Sequence, residues 1–336
     1  LIMKAQRTFN KGNIGKAFEM VTTDSKDPKY PTKEDIDKLF PQREIELSKI
    51  KFKSAPFVVT DSQIEFSLKS IKNGKGAGMS GLLAEHVKQL VTNVEQREFL
   101  RKTIQSIINQ SNQAPEQLFT SKLTCIPKNN NGLRPLCVSE MLLKLTNKII
   151  NASMLPHINA YIDESQTCLS GQNAQLNAVQ KLIESINEST DEPKFITQID
   201  MTNAFGSIEH TIILEELQKI KGIRSMAKYI KILLQKMQIQ YETKDGEFVT
   251  RRIDRGVPQG DPISMSIFAV ALNRVIKILK EESENTLEII AYADDVLIIT
   301  NTEQNMEEAV EKFKQEAMKI GLSMNENKTN YFTTDN

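Results

Sequence analysis

Two adjacent carboxylates, Asp294 and Asp295, stand between LEIIAYA and VLIITN, two apolar segments with the pattern of buried strands. Two like charges at a hairpin tip repel each other and disfavour ionisation. No Lys or Arg lies close in sequence to neutralise them, whereas a divalent cation would do so, because hard cations prefer carboxylate oxygens. The pair therefore predicts a metal site. The alternative is a solvated Asp-Asp turn, since Asp is a common turn former.

A third carboxylate, Asp200, ends the predicted strand KFITQID over residues 194–200. Strand ends present side chains from a rigid sheet to a cleft, so Asp200 is able to complete a site with the Asp294-Asp295 pair. In a two-metal site, one ion activates the attacking oxygen and the other stabilises the leaving group of an in-line phosphoryl transfer. The alternative for Asp200 is a helix N-cap or a strand-end turn.

The segment RGVPQGDPIS, residues 255–264, contains two prolines and two glycines, which predict a rigid turn. Such a turn can present backbone N–H groups and Gln259 to a flat partner such as a base pair. A strongly amphipathic helix follows from about Phe268, with apolar residues at helical spacing. The alternative is an ordinary loop before this helix, with Asp261 or Ser264 as its cap.

The other elements predict an α+β fold, because strand, helix, hairpin, helix, hairpin and helix follow one another in the C-terminal half. This order is typical of an antiparallel sheet backed by helices. Residues 1–60 are polar and charged, and a Gly-rich loop covers 73–81. The further expected elements are a helix near Ile64 capped by Asp61 or Ser62, an apolar-periodic segment over 82–111, a hairpin over 119–138, a helix from Ser139 to about 155, a helix over 173–189 with Leu176, Val179, Ile183 and Ile186 on its face, a helix over 212–220, a hairpin around Lys244-Asp245-Gly246 and a last helix from about Met306.

The composition limits the class of protein. The chain has 336 residues with 39% apolar content, enough for about two domains. Lys+Arg and Asp+Glu both number 43, so the net charge is zero. Nucleic-acid binders often carry excess positive charge, although a neutral total can hide a basic channel. Three widely spaced cysteines indicate a reducing compartment, and no run of about 18 apolar residues suggests a membrane span.

The order D-x-x-x-x-F (200–205), PQG and Y-A-D-D (292–295) resembles the reverse transcriptase family. Further segments resemble motifs of the non-LTR (LINE-type) retrotransposon enzymes. These segments are NGKGAGMSGLLAEHVKQL (73–90), IPKNNNGLRPLCV (126–138), SGQNAQLNAVQKLIE (170–184) and GLSMNENKT (321–329), together with AQRTFNKGNIGKAFEMV near the start.

The resemblance implies a right-hand polymerase with fingers and an antiparallel palm sheet backed by helices. The expected division is an N-terminal extension over 1–54, fingers over 55–192 with parts interleaved into the palm, and palm over 193–336. Because the sequence stops soon after GLSMNENKT, which resembles the late palm motif of the family, we expect the thumb to be absent. Thumb and endonuclease domains would then be fused to this segment in the parent protein.

The resemblance also assigns roles to single residues. Asp200 and Asp294 would bind two Mg²⁺ ions directly, with Asp295 a weaker partner and the Met201 carbonyl a further ligand. Phe205 would be a steric gate that rejects a 2′-OH, and its alternative is an ordinary core Phe. The other expected site residues are Lys128 and Arg134 on the triphosphate, Gln259 and Gly260 near the templating pair, and Lys328 as a proton donor to the leaving pyrophosphate. For the three cationic residues among them, the alternative is an ordinary surface charge.

The function implied is RNA-directed DNA synthesis, with an RNA template, a DNA or RNA primer and dNTPs as partners. We expect no membrane association and an intracellular location, with the nucleus favoured. Gly206 departs from the family pattern, which usually has an acidic residue directly after the steric gate. That position is thought to shape the start of the nearby helix and not to bind metal, so we expect the departure to adjust activity without abolishing it. A catalytically silent nucleic-acid-binding remnant is one alternative. An RNA-dependent RNA polymerase is disfavoured by Phe205, and a metal-dependent nuclease would not need the PQG turn.

Overall fold

The computed structural model describes residues 30–42, 47–52, 55–127, 132–171, 173–187, 193–283 and 286–334. Helices and strands alternate along this part of the chain. The helices are α1 (Lys33–Leu39), α2 (Asp61–Ser70), α3 (Ala84–Leu90), α4 (Val94–Asn109), α5 (Met141–Asn159), α6 (Ala174–Asn187), α7 (Ala204–Ser207), α8 (His210–Lys219), α9 (Arg224–Lys236), α10 (Ser264–Glu282) and α11 (Glu303–Lys319), with short 3-10 helices at Leu47–Lys49 and Glu116–Phe119. The strands are β1 (Thr120–Pro127), β2 (Leu133–Val138), β3 (Phe195–Ile199), β4 (Gln238–Glu242), β5 (Phe248–Arg252), β6 (Leu287–Tyr292), β7 (Asp295–Thr300) and β8 (Asn330–Thr333).

The strands form two four-stranded sheets among the described residues. Sheet 1 has the order β2-β1-β4-β5, and sheet 2 has the order β6-β7-β3-β8. Every neighbouring pair in sheet 2 is antiparallel, whereas β1 and β4 in sheet 1 run parallel. The mixed helix-and-sheet class expected from the sequence is therefore confirmed.

The β4-β5 hairpin around Gly246 forms as predicted, but it joins sheet 1 and not the sheet that holds the aspartates. Two contacts explain this placement. The side chain of Lys236, at the end of α9, donates to the carbonyls of Asn112 and Ala114, just before β1. Ile239 and Tyr241, two positions apart on β4, both point into the core. In this position the edge of β4 pairs in parallel with β1.

Sheet 2 is covered on both faces, which accounts for its nearly continuous apolar strands. One face packs into the main core with α10 and α11, whose buried side chains include Phe268 and Phe313. The other face, with Ile196 and Ile299, packs against Leu182 of α6. The prediction that Leu176, Val179, Ile183 and Ile186 form the buried face of α6 is wrong for three of the four. Ile186 packs against the sheet, whereas Leu176, Val179 and Ile183 are 63%, 52% and 53% exposed.

Three expected helix starts are also corrected. Thr60 caps α2 through a capping box, where Asp61 or Ser62 was expected. The segment 82–111 is split into α3 and α4, because Asn93 begins a new helix with its own capping box. Helix α5 begins at Met141, and the hydroxyl of Ser139 donates instead to Asp261, at 3.0 Å. None of the helices that the structure describes is both long and apolar enough to cross a bilayer.

Candidate active site

The Asp294 carboxylate lies at the tip of the β6-β7 hairpin. Tyr292 pairs with Asp295, so the turn consists of Ala293 and Asp294. Ala293 has a φ of 57°, a left-handed conformation that is uncommon for a residue with a side chain. Asp295 is already the first residue of β7. The two carboxylates are therefore held differently, one by the turn and one by the sheet.

Asp200 is brought to the same edge of sheet 2 by strand pairing. Strands β3 and β7 are antiparallel, and Ile199 pairs with Val296. The next step along both strands places Asp200 beside Asp295, and the hairpin tip follows immediately. The strand pairing thus brings the three aspartates to one edge of sheet 2, although Asp200 and Asp294 are 94 positions apart in the sequence.

The three carboxylates influence one another electrostatically. The pKa of Asp295 is raised above its usual value, first by partial burial and then by the negative charges of Asp294 and Asp200. The Nζ of Lys328 lies 3.7 Å from Oδ2 of Asp200, and both side chains are about half exposed. An exposed pair at this distance gives little compensation. The edge of the sheet therefore carries excess negative charge.

Lys328 is held near Asp200 by backbone bonds to the segment that follows α11. The amide of Thr202 donates to the Ser323 carbonyl, and the amide of Asn325 donates to the Asp200 carbonyl, both at 2.8 Å. These two bonds flank Met201 and do not use its carbonyl. The predicted Lys328 and Met201 positions therefore lie directly beside the aspartates.

The donor set fits a hard divalent cation in chemistry, since carboxylate oxygens with unneutralised charge are what such ions prefer. The side chains are not drawn together into a preformed cage: over the described ranges, no three His, Cys, Asp or Glu side chains stand ready to enclose one ion. Asp200, Asp294 and Asp295 are the residues that would hold the metal.

Phe205, five residues after Asp200 in the sequence, stacks on Phe268 of α10, with ring centroids 4.6 Å apart and planes 18° apart. Its backbone carbonyl accepts a 2.6 Å bond from the Val257 amide, at the start of the PQG turn. The ring is half-buried. The stack on Phe268 agrees with the alternative of a Phe packed against the core, and the steric-gate role of Phe205 stays a prediction.

The PQG turn connects the aspartate edge to sheet 1. At its far end, the Cys137 amide of β2 donates to the Gln259 carbonyl at 3.1 Å. Gly260 has a φ of 102°, which favours glycine. Neither Asp261 nor Ser264 is the residue that caps α10, because the N-cap is Ile263. Asp261 is buried and Ser264 donates to the Pro258 carbonyl, so both stabilise the turn itself.

The expected triphosphate clamp is only partly visible. Arg134 is exposed on β2, opposite Ile126 of β1. Lys128, the other member, lies outside the described residues. Arg134 stands on the same sheet face as Leu136 and Val138, because strand side chains alternate.

Sequence reasoning missed Arg255, the first residue of RGVPQGDPIS. Its guanidinium donates to the carbonyls of Ser207 (2.7 Å) and Gly321 (3.0 Å) and lies 3.2 Å from a carboxylate oxygen of Glu209. It therefore joins the segment after Asp200 to the segment before Lys328. No spacing in the sequence indicates these partners.

Comparison with known proteins agrees with this arrangement. The profile described as "Reverse transcriptase (RNA-dependent DNA polymerase)" matches residues 126–336. The Pol polyprotein of a type-1 R2 retrotransposable element from Bradysia coprophila is 25% identical over 283 residues, covering 80% of this chain and 31% of that protein. The type-2 R2DM Pol polyprotein of Drosophila melanogaster is 22% identical, covering 80% of this chain and 26% of that protein.

One solved structure shows the same fold at 14% sequence identity. It is a telomerase from Candida tropicalis in complex with a fragment of telomeric RNA, with a TM-score of 0.50 over 76% of this chain and 49% of that one.

The chain belongs to the reverse transcriptase family, the RNA-dependent DNA polymerases. Its curated relatives are Pol polyproteins of R2 retrotransposable elements, which confirms the resemblance to the non-LTR branch. The chain spans less than a third of the length of these relatives.

Proposed function

We propose that this chain is the fingers-and-palm core of an RNA-directed DNA polymerase that adds dNTPs to a primer 3′-OH during retrotransposition. The observation that carries the proposal is the meeting of Asp200 with Asp294 and Asp295 at one sheet edge. The Phe205 stack and the PQG turn flank that edge. A metal-dependent nuclease would need the carboxylates alone.

Each residue of the site has a defined task in this proposal. Asp200, Asp294, Asp295 and the Met201 carbonyl hold two Mg²⁺ ions, which, when bound, neutralise the charge of an in-line phosphoryl transfer. Phe205, fixed by Phe268, excludes a 2′-OH. The remaining proposed contacts are Lys128 and Arg134 with the triphosphate, Gln259 and Gly260 with the templating pair, and Lys328 as the proton donor to pyrophosphate.

The proposed division keeps residues 55–192 as fingers and 193–336 as palm, after an extension over 1–54. The β4-β5 hairpin pairs with β1, so the two parts share sheet 1. A template, a primer and dNTPs are the proposed partners. Thumb and endonuclease domains elsewhere in the parent are proposed from the greater length of the relatives.

The test is primer extension on an RNA template with Mg²⁺, comparing dNTPs with rNTPs. We expect dNTP incorporation by the wild type and its loss, by a factor of about 10³ or more, in Asp294→Asn, since a metal ligand is removed. Phe205→Ala should admit rNTPs while keeping dNTP incorporation.

Asp254→Asn is the matched control, because Asp254 is an aspartate outside the site and, among the described residues, its carboxylate pairs with Arg252. If wild type and Asp294→Asn extend the primer equally, the catalytic proposal is wrong. If neither the isolated chain nor the chain fused to its native downstream segment extends the primer, the silent-remnant alternative is favoured.

A further inference from the structure

Asn203 lies between Asp200 and Phe205 and has an unusual backbone conformation. Its φ of 47° and ψ of 41° fall in the left-handed region, which Asn tolerates better than most residues with a side chain. The short helix α7 begins directly after it, and the Asn203 carbonyl accepts a 2.9 Å bond from the Gly206 amide. The path of the chain from Asp200 to Phe205 therefore turns at this residue.

The side chain of Asn203 binds the end of helix α1. Its amide nitrogen donates to the carbonyls of Lys38 (3.1 Å) and Leu39 (2.9 Å), both in the last turn of that helix. Carbonyls in the last turn of a helix have no partner within the helix, so Asn203 supplies the missing donor. Because both partners only accept hydrogen bonds, an amide NH₂ fits this position and a carboxylate does not. Residues 200–205 are thereby joined to α1.

Helix α1 is in turn attached to the rest of the fold. Ile36 and Phe40 are buried in the main core. Arg251 of β5 donates to the Phe40 carbonyl at 2.8 Å and forms an ion pair with Asp37. The end of α1 is thus held by sheet 1 on one side and by Asn203 on the other.

The close approach of α1 accounts for the missing side chain at position 206. A Cβ on Gly206 would lie 2.6 Å from both Nδ2 and Oδ1 of Asn203, and it would also overlap the Leu39 carbonyl oxygen. The Asn203 amide and the end of α1 occupy the space that a larger residue at 206 would need. These three parts form one packed unit directly beside Phe205.

Phe205 is held from its other side by separate contacts. Its ring stacks on Phe268, and its carbonyl accepts from the Val257 amide. The chain that leads from Asp200 to Phe205 is held by the bonds from Asn203 to α1. In the proposed function, the position of the Phe205 ring relative to Asp200 decides whether the ring meets the 2′ position of a bound sugar. A small shift of residues 203–205 would therefore change which sugar fits.

We propose that Asn203 is a positioning residue for sugar selection, and that α1, through the two carbonyls that Asn203 binds, determines how strictly Phe205 excludes a 2′-OH. This inference rests on the proposed function, since it takes Phe205 as the steric gate. It adds one residue and one helix of the N-terminal extension, both acting through Phe205, to the parts of the chain that select deoxynucleotides.

The experiment measures single-nucleotide primer extension on an RNA template, with dCTP or CTP supplied opposite a template G. The readout is the discrimination ratio, which is kcat/KM for dCTP divided by kcat/KM for CTP. This ratio does not depend on the fraction of active protein, so a variant that is only less stable keeps the wild-type value. The protein is the full chain, fused to its native downstream segment if the isolated chain does not extend primers.

Asn203→Asp is the first variant, because a carboxylate has nearly the size of the amide but cannot donate to the Lys38 and Leu39 carbonyls. We expect its discrimination ratio to fall by about tenfold, since displacement of a positioning group by a fraction of its length is enough for such a change. Asn203→Gly should lower the ratio in the same way if the Asp variant does not fold. Glycine adopts the left-handed backbone without strain and removes both bonds.

Arg251→Gln tests the contribution of α1 separately. Arg251 holds the end of α1 through Asp37 and the Phe40 carbonyl. We expect the discrimination ratio to fall in this variant too, by a smaller factor than in Asn203→Asp. The double variant should lose less than the product of the two single losses, because both substitutions act through the same helix.

Gln218→Glu is the matched control. The Gln218 amide nitrogen also donates to a carbonyl of the N-terminal extension, that of Lys51 at 3.1 Å, but it does so from an exposed position on α8. This variant loses the same kind of bond at a different place, and it should keep the wild-type discrimination ratio.

Three results would overturn the inference. The first is a wild-type ratio in both Asn203 variants, including the case in which dCTP and CTP are used more slowly by the same factor. The second is a wild-type ratio in Arg251→Gln beside a lowered ratio in the Asn203 variants, which would reject the role of α1. The third is an equal fall in Gln218→Glu, which would show a general effect of loosening the extension.

Failure of the inference is distinguishable from failure of the proposed function. If Phe205→Ala lowers the discrimination ratio and the Asn203 variants do not, the inference alone is wrong. If Phe205→Ala incorporates dCTP with the wild-type ratio, the steric gate is wrong and the inference falls with it. If neither the isolated nor the fused wild-type chain makes DNA, the polymerase proposal itself fails.

Discussion

At position 206, three backbone segments come into close contact. A Cβ on Gly206 would overlap the Leu39 carbonyl oxygen at the end of α1, and a Cβ on Gly256 would overlap the Gly206 carbonyl carbon. Gly256 has in addition a φ of 76°. The departure from the family at Gly206 thus coincides with a site that has no room for a side chain, beside both Phe205 and the PQG turn.

Gly206→Asp should destabilise the fold by about 3 kcal/mol or more, because the nearest atom, the Leu39 carbonyl oxygen, belongs to the backbone and an overpacked, buried carboxylate adds a desolvation cost. Urea unfolding followed by circular dichroism measures the change. Gly76→Ala is the control, since its added Cβ would meet Val138 at an ordinary 3.8 Å. Equal midpoints for the two variants would contradict the close-contact interpretation.

At the scale of elements, α8 is attached to the PQG segment by its first residue. His210 is buried, and its Nε2 lies 2.7 Å from the Gly256 carbonyl oxygen, so the neutral ring donates there. Burial lowers the pKa of His210 to about 4; the Gly256 bond opposes the shift, and Arg252 and Arg255 add to it. Helix α8 is thus connected to the PQG segment by the neutral His210 ring, whose buried position disfavours the charged form.

Acidification should therefore weaken the fold through His210. Above pH 6.5 the ring is neutral in both states, whereas between pH 6.5 and about 4 the unfolded chain takes up a proton that the folded chain does not. The free energy of unfolding should fall across this window by about 3 kcal/mol from this group.

The measurement is chemical denaturation at pH 7.0, 5.5 and 4.0 for wild type and His210→Gln, in which an amide replaces the ring as donor and does not titrate. The variant should lose less stability than the wild type between pH 6.5 and 4. Parallel curves for the two proteins would show that His210 is not the titrating group.

At the scale of the whole molecule, one polar cluster joins the two sheets. Asp261 of the turn accepts from Ser139, which follows β2, and from Asn147 of α5. Tyr229 of α9 donates to the Asn147 side-chain oxygen at 2.6 Å. Burial raises the pKa of Asp261, and the donated bonds oppose that shift. The cluster fixes the turn to sheet 1 while Val257 fixes it to Phe205.

Asp261→Leu should cost about 3 kcal/mol, since Ser139, Asn147 and the Ile263 amide would be left as buried donors without an acceptor. Asp261→Asn keeps one acceptor oxygen and should cost less. The comparison variant Asp254→Leu removes a partly exposed pair with Arg252 and should change stability by less than about 1 kcal/mol.

Guanidinium unfolding measures all three variants. If Gln259 contacts the templating pair as proposed, primer extension should show Asp261→Asn with a raised KM for the primer–template and little change in kcat, because Asp261 holds the turn that carries Gln259. A fall in kcat alone would exclude that positioning role.

Much of this protein follows from local rules that the sequence carries. The strands around Asp200, Asp294 and Asp295 are short apolar runs bounded by turns, and α10 has apolar residues at helical spacing. Periodicity and turn chemistry act over a few residues, so these elements and the meeting of the aspartates at strand ends were predictable. The cap of α5 was not, because Ser139 is used by a partner 122 positions away.

Local sequence patterns thus encode the set of elements and the acidic edge of sheet 2. They do not encode that β4-β5 joins sheet 1, that α6 turns Val179 outwards, or that Lys72 and Lys148 line one groove. These outcomes depend on which surfaces bury most area against each other across long separations, and no short-range pattern specifies that choice.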